Sequence, residues 1–324
     1  MQPTPDQATP RRTRTQWVKA AAAVLVVAFV AVFLAGHWSD IVDAVRQLDA
    51  ASITGAFGFV LVGLVAAALS WRSVLAGMGS PLPVPAAARV FFLSQLGKYI
   101  PGSIWPVLAQ AELSTEYGVP RSRAASAALT QLVIGLVVGI VVAGSTLSIA
   151  SADAVRTYWW LLFVAVAGIV MLVPAVFNRV MTLARRVLHR PGGDAITGPT
   201  LLRSSVWALV MWVAFGAHLW ILAAGSGFSS PSLGLLTTGA YALAWVVGFV
   251  IVFLPAGAGA REVALVAALA PVMDASAALA LALVSRALMI AGDFLSAGAA
   301  VLADNRHRAA LARRAPGAVL GDDQ

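Results

Sequence analysis

The segment LSQLGKYIPGSIWP, residues 93–106, lies between two long apolar stretches and differs in composition from both. It contains one lysine, two glycines and two prolines. Proline and glycine interrupt helices, so the segment is either a loop in water or a helix that is broken inside a membrane. The rest of the chain decides between these two interpretations.

The composition is that of a membrane protein. Of the 324 residues, 60% are hydrophobic and 11% are charged, whereas soluble domains have about 25% charged residues. Uncharged apolar runs recur that are long enough to cross the ~30 Å hydrocarbon core as helices. We therefore predict an all-α polytopic membrane protein. The chain has no cysteine, which excludes disulfides, thiol catalysis and cysteine-based metal sites.

The apolar runs predict six full membrane spans. They are residues 17–36, 53–70, 124–150, 157–177, 204–224 and 275–302. Arginines cluster in both chain ends and in loop 178–203, and the positive-inside rule places all three in the cytoplasm. The net charge of +8 therefore reflects topology in the cell membrane rather than nucleic-acid binding. We expect 17–302 to be one membrane domain between a disordered tail, 1–16, and a second cytoplasmic tail, 303–324.

Two segments between these spans must return to the side from which they start. Residues 80–112 enter and leave on the cytoplasmic side, and residues 235–272 on the outer side, so we predict two re-entrant, broken helical hairpins. Residues 240–254 are apolar enough to cross most of the bilayer. Each half, 17–150 and 157–302, then has two spans, a hairpin and a span. The halves run in opposite directions, as in transporters with inverted repeats.

The first hairpin is predicted to break in the opening segment. Pro101 disfavours a helical conformation at Ile100, and Gly102 gives the backbone freedom. Ser103 is a candidate N-cap for a new helix, in whose first turn Pro106 is tolerated. The free amides of such a helix would lie at the tip of the hairpin.

The second hairpin is predicted to break in FLPAGAGARE, residues 253–262. Pro255, Gly257 and Gly259 interrupt the helix, and Glu262 suits the first turn of the next one. Either break alone could be a simple kink. Two breaks in corresponding places indicate irregular backbone around a cavity, because such backbone is tolerated at membrane depth only inside protein or beside water.

Five charged residues lie within or beside apolar segments. They are Lys98, Arg261, Glu262, Arg286 and Asp293. A charge at the centre of a membrane costs about 2.5–3.5 kcal/mol, and the excess of one positive charge here suits an anion. Glu262 needs a partner from another segment, and we predict Lys98 or Arg286. Two alternatives are a purely structural ion network and, for Lys98, an extended side chain that reaches the cytoplasmic surface.

Other polar residues are weaker candidates. Gln95, Gln110 and Glu112 flank the first break and could bind a lipid head group or join helices. His218 is expected to make a packed helix contact, and Arg72 to anchor the end of a span.

Three segments together resemble a known family. LGKYIPGSIW (96–105), LPAGAGARE (254–262) and SRALMIAGD (285–293) are similar to the lysylphosphatidylglycerol synthase transmembrane-region family, over roughly residues 15–303. The resemblance implies that the broken segments surround a path for lipid between leaflets. The positions carried over by motif match are Gly97, Lys98, Pro101, Gly102, Pro255, Gly257, Gly259, Arg261 and Glu262.

The sequence also departs from the family. Alanines separate the glycines of the second motif, and full-length synthases continue into a soluble aminoacyl-transferase domain, whereas residues 303–324 alone follow the last predicted span. We therefore expect a stand-alone member that does not make lysyl-lipid by itself.

The leading functional prediction is a lipid flippase without cofactor or metal. The lipid would be an anionic phospholipid, an aminoacyl-phospholipid or a polyprenyl-phosphate-linked lipid. There is no P-loop pattern for ATP, so transport would be passive or driven by an ion gradient. The alternatives are a lipid-modifying transferase, which would need an acid–base or metal constellation, and a non-catalytic partner of a lipid- or glycan-synthesising enzyme.

Overall fold

The structure is a computed structural model of the chain. It describes residues 35–100, 104–150, 159–187, 195–250 and 259–314, together with positions 24, 25, 28 and 31–33. All regular structure in these ranges is helical, which confirms the predicted all-α class. The first predicted span, 17–36, lies mostly outside the described residues, as do the predicted tail 1–16 and the end, 315–324, of the predicted tail 303–324. Residues 303–314 of that tail continue the last helix.

Eleven helices are described in these ranges. They are α1 (Trp38–Arg46), α2 (Ala50–Gly77), α3 (Val84–Gln95), α4 (Trp105–Ser114), α5 (Arg121–Ile149), α6 (Trp160–Met171), α7 (Pro174–Val187), α8 (Gly198–Gly225), α9 (Leu233–Val250), α10 (Ala260–Leu269) and α11 (Ala275–Arg314). Two short 3₁₀ turns, Leu96–Tyr99 and Thr115–Tyr117, follow α3 and α4.

Four of these helices are long and apolar enough to cross a membrane: α2, α5, α8 and α11. The shortest of them has 28 residues, or about 42 Å at 1.5 Å per residue, which exceeds the ~30 Å hydrocarbon core. The predicted spans 53–70, 124–150, 204–224 and 275–302 fall on these four helices. The protein is therefore a polytopic helical membrane protein.

The predicted span 157–177 differs from the structure. Helix α6 ends at Met171, and α7 begins at Pro174 with a bend of 89° between the two. Proline lacks an N–H and disfavours a helical conformation in the residue before it, here Val173, so the helix stops and a new one starts at the proline. Asn178 then ties α7 to the following loop, since its side chain exchanges two hydrogen bonds of 2.8 Å with the backbone of Ile196.

The centre of the bundle is the contact between α2 and α8, the most extensive helix–helix contact in the described structure. Gly63 permits it, because a Cβ there would lie 2.3 Å from the ring of Phe215. The fully buried hydroxyls of Ser70 and Ser204 lie 2.8 Å apart, and each also donates to the other residue's carbonyl oxygen. Small residues and paired hydroxyls are the usual means of helix association inside a membrane.

Both predicted helix breaks are present as helix–break–helix units. In the first, α3 and α4 pack together around the turn at 96–99. Gly97 approaches α4 so closely that a Cβ would lie 3.1 Å from the backbone carbon of Trp105. Pro106 occupies the first turn of α4, as predicted.

The predicted N-cap of α4 needs a correction, because Ile104 occupies the cap position and no side chain caps the helix. Ser103, the predicted cap, lies outside the described residues, as do Pro101 and Gly102.

In the second unit, α9 packs against α10. Gly259 is the N-cap of α10 with φ of +84°, a conformation that favours glycine, and Glu262 lies in the first turn as predicted. Pro255 and Gly257 lie outside the described residues.

Candidate functional site

A cavity of about 230 Å³ lies where the two broken units meet the long helices. Its polar wall is formed by Gln95, Lys98, Tyr99, Gln131, Tyr241, Arg261, Glu262, Ser285 and Arg286. Its aromatic wall is formed by Phe91, Phe215, Trp245 and Phe249. The cavity therefore combines charged groups with aromatic faces inside an otherwise apolar bundle, where polar groups are costly unless they are paired.

Lys98 lies in the 3₁₀ turn after α3, and its ammonium contacts Asp293 of α11. The Nζ atom is 2.6 Å from Asp293 Oδ2, and the hydroxyl of Tyr99 donates to the same oxygen. Asp293 is 1% exposed. Lys98, whose side chain is 29% exposed, thus pairs its ammonium with a buried carboxylate of α11.

Glu262 of α10 forms an ion pair with Arg286 of α11. Its other carboxylate oxygen accepts a hydrogen bond of 2.6 Å from the N–H of Gly259, which satisfies one of the free amides at the start of α10. The guanidinium of Arg286 also lies 4.5 Å from the ring centroid of Phe33. The predicted partner of Glu262 is therefore confirmed as Arg286, whereas Lys98 is engaged by Asp293.

Helix α11 bridges the two broken units through these pairs. Arg286 and Asp293 are two helical turns apart, or about 10 Å. Asp293 receives Lys98 from the first unit, and Arg286 receives Glu262 from the second. One long helix thus holds an opposite charge for each unit.

Arg261 is the remaining cation of the five predicted intramembrane charges. Within the ranges that the structure describes, no carboxylate lies within ion-pair distance of its guanidinium, which instead lies 4.6 Å from the ring centroid of Tyr241. Since the two ion pairs are neutral, the cavity wall retains one positive charge. An anion that approaches the edge of this guanidinium can accept two parallel hydrogen bonds from its in-plane N–H groups.

The aromatic residues of the site were not among those predicted from the sequence. Tyr99 and Tyr241 contact the charged groups directly, and Trp245 and Gln131 line the same cavity. Aromatic residues on apolar helices resemble ordinary core residues in sequence. The position of Tyr99 beside Lys98 was the one available indication, because a buried tyrosine hydroxyl usually has a polar partner.

The weaker candidates separate into two groups. Gln95 lines the cavity, whereas Gln110 is buried outside the cavity wall and Glu112 pairs with Arg121 at the surface. His218 makes the expected packed contact, with its Nε2 atom 2.8 Å from the hydroxyl of Ser285. Arg72 donates a hydrogen bond of 2.8 Å from its Nε atom to the backbone carbonyl of Leu82.

No constellation of metal ligands occurs in the described part of the chain. Groups of three or more histidine, aspartate or glutamate side chains that could hold one ion are not found there. The two carboxylates at the site are each held by a basic side chain. The arrangement therefore offers ion pairing and hydrogen bonding to a bound molecule.

Comparison with known proteins identifies the family of the chain. A search of curated proteins gives no match. The family described as Lysylphosphatidylglycerol synthase TM region matches residues 16–296, a range that contains both broken units, the cavity and both ion pairs. Because this match covers most of the sequence, the chain belongs to the lysylphosphatidylglycerol synthase transmembrane-region family.

Proposed function

We propose that the protein moves an anionic lipid between the leaflets of the cell membrane, with the head group passing through the cavity. The observation that carries this proposal is the polar cavity itself, which lies between two helix breaks and retains the positive charge of Arg261. Charges at membrane depth are costly and usually serve transport or binding. Membership of a family of membrane domains associated with lipid flipping or modification supports the same function.

We further propose six spans and two re-entrant hairpins arranged as an inverted repeat. Helices α3, α4 and α10 have 12, 10 and 10 residues, or about 15–18 Å, which is roughly half of the hydrocarbon core. Only α9, with 18 residues, is long enough at about 27 Å to cross most of it. These lengths suit hairpins that enter the membrane and return.

The packing between the halves supports the repeat. Helices α2 and α8 occupy corresponding places and pack on each other. The first hairpin packs through α3 on α11, the last helix of the second half, and the second hairpin packs through α9 on α5, the last helix of the first half. In each half, therefore, the hairpin packs on the last helix of the other half. This reciprocal packing is expected for two related halves around a pseudo-two-fold axis.

The proposed topology, with both chain ends in the cytoplasm, is tested by single cysteines in this cysteine-free chain. Ser229, in the loop between α8 and α9, and Ala310, near the end of α11, are both exposed. We expect a membrane-impermeant maleimide to label Ser229→Cys in intact cells and to label Ala310→Cys only after permeabilisation. Labelling of Ala310→Cys in intact cells would overturn the orientation.

Arg261 is the proposed contact for the lipid phosphate. Arg261→Lys keeps the charge and loses the planar group that holds two oxygens at once. Loss of one hydrogen bond to a charged group costs about 1.5–3 kcal/mol, so we expect translocation to slow by at least about tenfold. Arg261→Ala should be slower still. The measurement is dithionite quenching of fluorescently labelled phosphatidylglycerol in vesicles that contain the purified protein.

The matched control for this test is Arg121→Ala. Arg121 is an exposed arginine paired with Glu112 outside the cavity, and its removal should leave the rate unchanged. Gel filtration of both position-261 variants separates a transport defect from misfolding. Wild-type translocation by a folded Arg261→Lys protein would show that Arg261 does not hold the phosphate.

We propose transport rather than catalysis as the function of the site. A transferase needs a carboxylate or histidine that can exchange protons with its substrate. Here Glu262 and Asp293 are engaged by Arg286 and Lys98, and His218 is engaged by Ser285. These contacts favour binding of a lipid over chemical change in it.

A further inference from the structure

Helix α7 runs across the direction of the bundle rather than along it. Helix α6 packs along α5, which is long and apolar enough to cross a membrane. The bend of 89° before Pro174 then turns α7 almost perpendicular to α6. A helix perpendicular to membrane-crossing helices lies close to the membrane plane. Helix α7, Pro174–Val187, is therefore oriented along the surface of the bilayer.

The contacts of α7 with the start of α8 indicate its depth. Pro174 lies beside Gly198, the first residue of α8, where an added Cβ would be 3.7 Å from the proline ring. Asn178 holds the loop before α8 through its two hydrogen bonds. Residues 198–203 of α8 precede its apolar run, 204–224, and are about 9 Å long. Helix α7 therefore lies beside the end of the apolar layer, at the level of the lipid head groups.

One apolar face of α7 is not covered by the protein. Phe177 is fully buried and Met181 packs against the same core, so these two residues hold the helix on the bundle and fix its rotation about its axis. Val180 and Leu183 lie on another side of the helix and are 40% and 60% exposed. Exposed apolar side chains at head-group depth can insert among the acyl chains of the bilayer.

A basic face lies next to this apolar face. Arg179 and Arg186 are both exposed and are about two helical turns apart, so they lie on one side of α7, roughly 80° around the axis from Val180 and Leu183. Neither arginine makes an ion pair with a carboxylate in the described part of the chain, and α7 contains no aspartate or glutamate. Exposed arginines beside an apolar face are typical of helices that bind anionic membrane surfaces.

We propose that α7 is a binding surface for anionic lipid head groups, separate from the cavity. Val180 and Leu183 insert at the boundary between head groups and acyl chains, and Arg179 and Arg186 attract lipids of net negative charge around the helix. Because the burial of Phe177 fixes the rotation of α7, both faces meet the membrane at the same time. Lipid translocation is not required for this binding.

The first test locates α7 with a bimane fluorophore on single cysteines in the full, otherwise cysteine-free chain. The protein is reconstituted into phosphatidylcholine vesicles in which part of the lipid carries a nitroxide quencher on its acyl chains. We expect strong quenching at Leu183→Cys and weak quenching at Thr182→Cys, because Thr182 is exposed on the side of α7 away from the apolar face. Weak quenching at Leu183→Cys would place this face in water or against another protein and overturn the proposal, as would equal quenching at both positions.

The second test measures the preference for anionic lipid. Vesicles of phosphatidylcholine contain the same fraction of nitroxide lipid, either as phosphatidylglycerol or as phosphatidylcholine. One basic residue near an anionic surface changes binding by about fivefold, so we expect several-fold enrichment of phosphatidylglycerol around bimane at Leu183→Cys. Arg179→Gln with Arg186→Gln should remove the enrichment, whereas Arg46→Gln, at an exposed pair far from α7 in the chain, should not.

A probe on another lipid-facing helix is the matched control for position. Val62 is 49% exposed on the apolar helix α2, and bimane at Val62→Cys should be quenched equally by both lipids. Salt at 1 M shortens the screening length to about 3 Å, so it should abolish the enrichment at Leu183→Cys. Equal quenching by the two lipids there at low salt would overturn the anionic preference. The comparison of low and high salt decides the proposal even if the double arginine variant does not fold.

Discussion

Replacement of Asp293 by asparagine is expected to destabilise the protein strongly and to stop lipid translocation. The carboxylate is 1% exposed and holds both the ammonium of Lys98, at 2.6 Å, and the hydroxyl of Tyr99. Asparagine has nearly the same shape but no charge, so Lys98 would remain in the bundle without its counter-ion. Removal of one member of a buried ion pair costs about 3–5 kcal/mol, and we expect a value near the lower end because the Lys98 side chain is 29% exposed. The first broken unit would lose its ion pair to α11.

The measurement is thermal unfolding in detergent together with the vesicle assay. Asp43→Asn is the matched control, because Asp43 pairs with Arg46 at the surface with both side chains more than half exposed, and surface pairs contribute little. Removing both charges, in Asp293→Asn combined with Lys98→Met, should restore part of the stability, since no uncompensated charge remains. Unfolding of Asp293→Asn at the wild-type temperature would exclude a structural role for the pair.

The two ion pairs also bear on how the two broken units would move in the proposed transport. Besides its helix packing, each broken unit makes an ion pair with α11 in the described structure, Lys98–Asp293 or Glu262–Arg286. A lipid phosphate that competes for one cation would weaken one attachment and leave the other in place. A ligand shifts the populations of two conformations only if it binds one of them more tightly than the other. A phosphate that weakens one of these ion pairs would meet this condition.

Part of this architecture could be predicted because it depends on local sequence. The helices α2, α5, α8 and α11 follow from apolar runs that are about as long as a bilayer core or longer. The two helix breaks follow from proline and glycine, whose effects on the backbone do not depend on distant residues. The bend before Pro174 was also accessible from the residues 172–174, but hydropathy alone continues through them and predicted one span.

The pairing of the charges was only partly predictable. Glu262 could be given Arg286 as a candidate partner because neighbouring arginine and glutamate side chains on a helix do not face each other. The contact of Lys98 with Asp293 joins residues that are far apart in the chain. It depends on which part of α11 the first broken unit contacts, and hydrophobic patterns do not contain that register. The aromatic residues of the cavity and Gln131 were missed for the same reason.

Loss of the charge on Glu262 is expected to lower the free energy of unfolding about as much as loss of the charge on Asp293. A double-mutant cycle with Arg286 measures the coupling energy between the two side chains. Glu262→Gln keeps an oxygen that can accept from the N–H of Gly259 and removes the charge that faces Arg286. Both side chains are about one-tenth exposed, so each single change should cost about 3–5 kcal/mol in the free energy of unfolding. Because the residues touch, Glu262→Gln with Arg286→Gln should cost less than the sum of the single changes, by roughly 0.5–3 kcal/mol. The same cycle on the exposed pair Glu112–Arg121 should give no measurable coupling. Strict additivity at Glu262 and Arg286 would show that this contact does not hold α10 on α11.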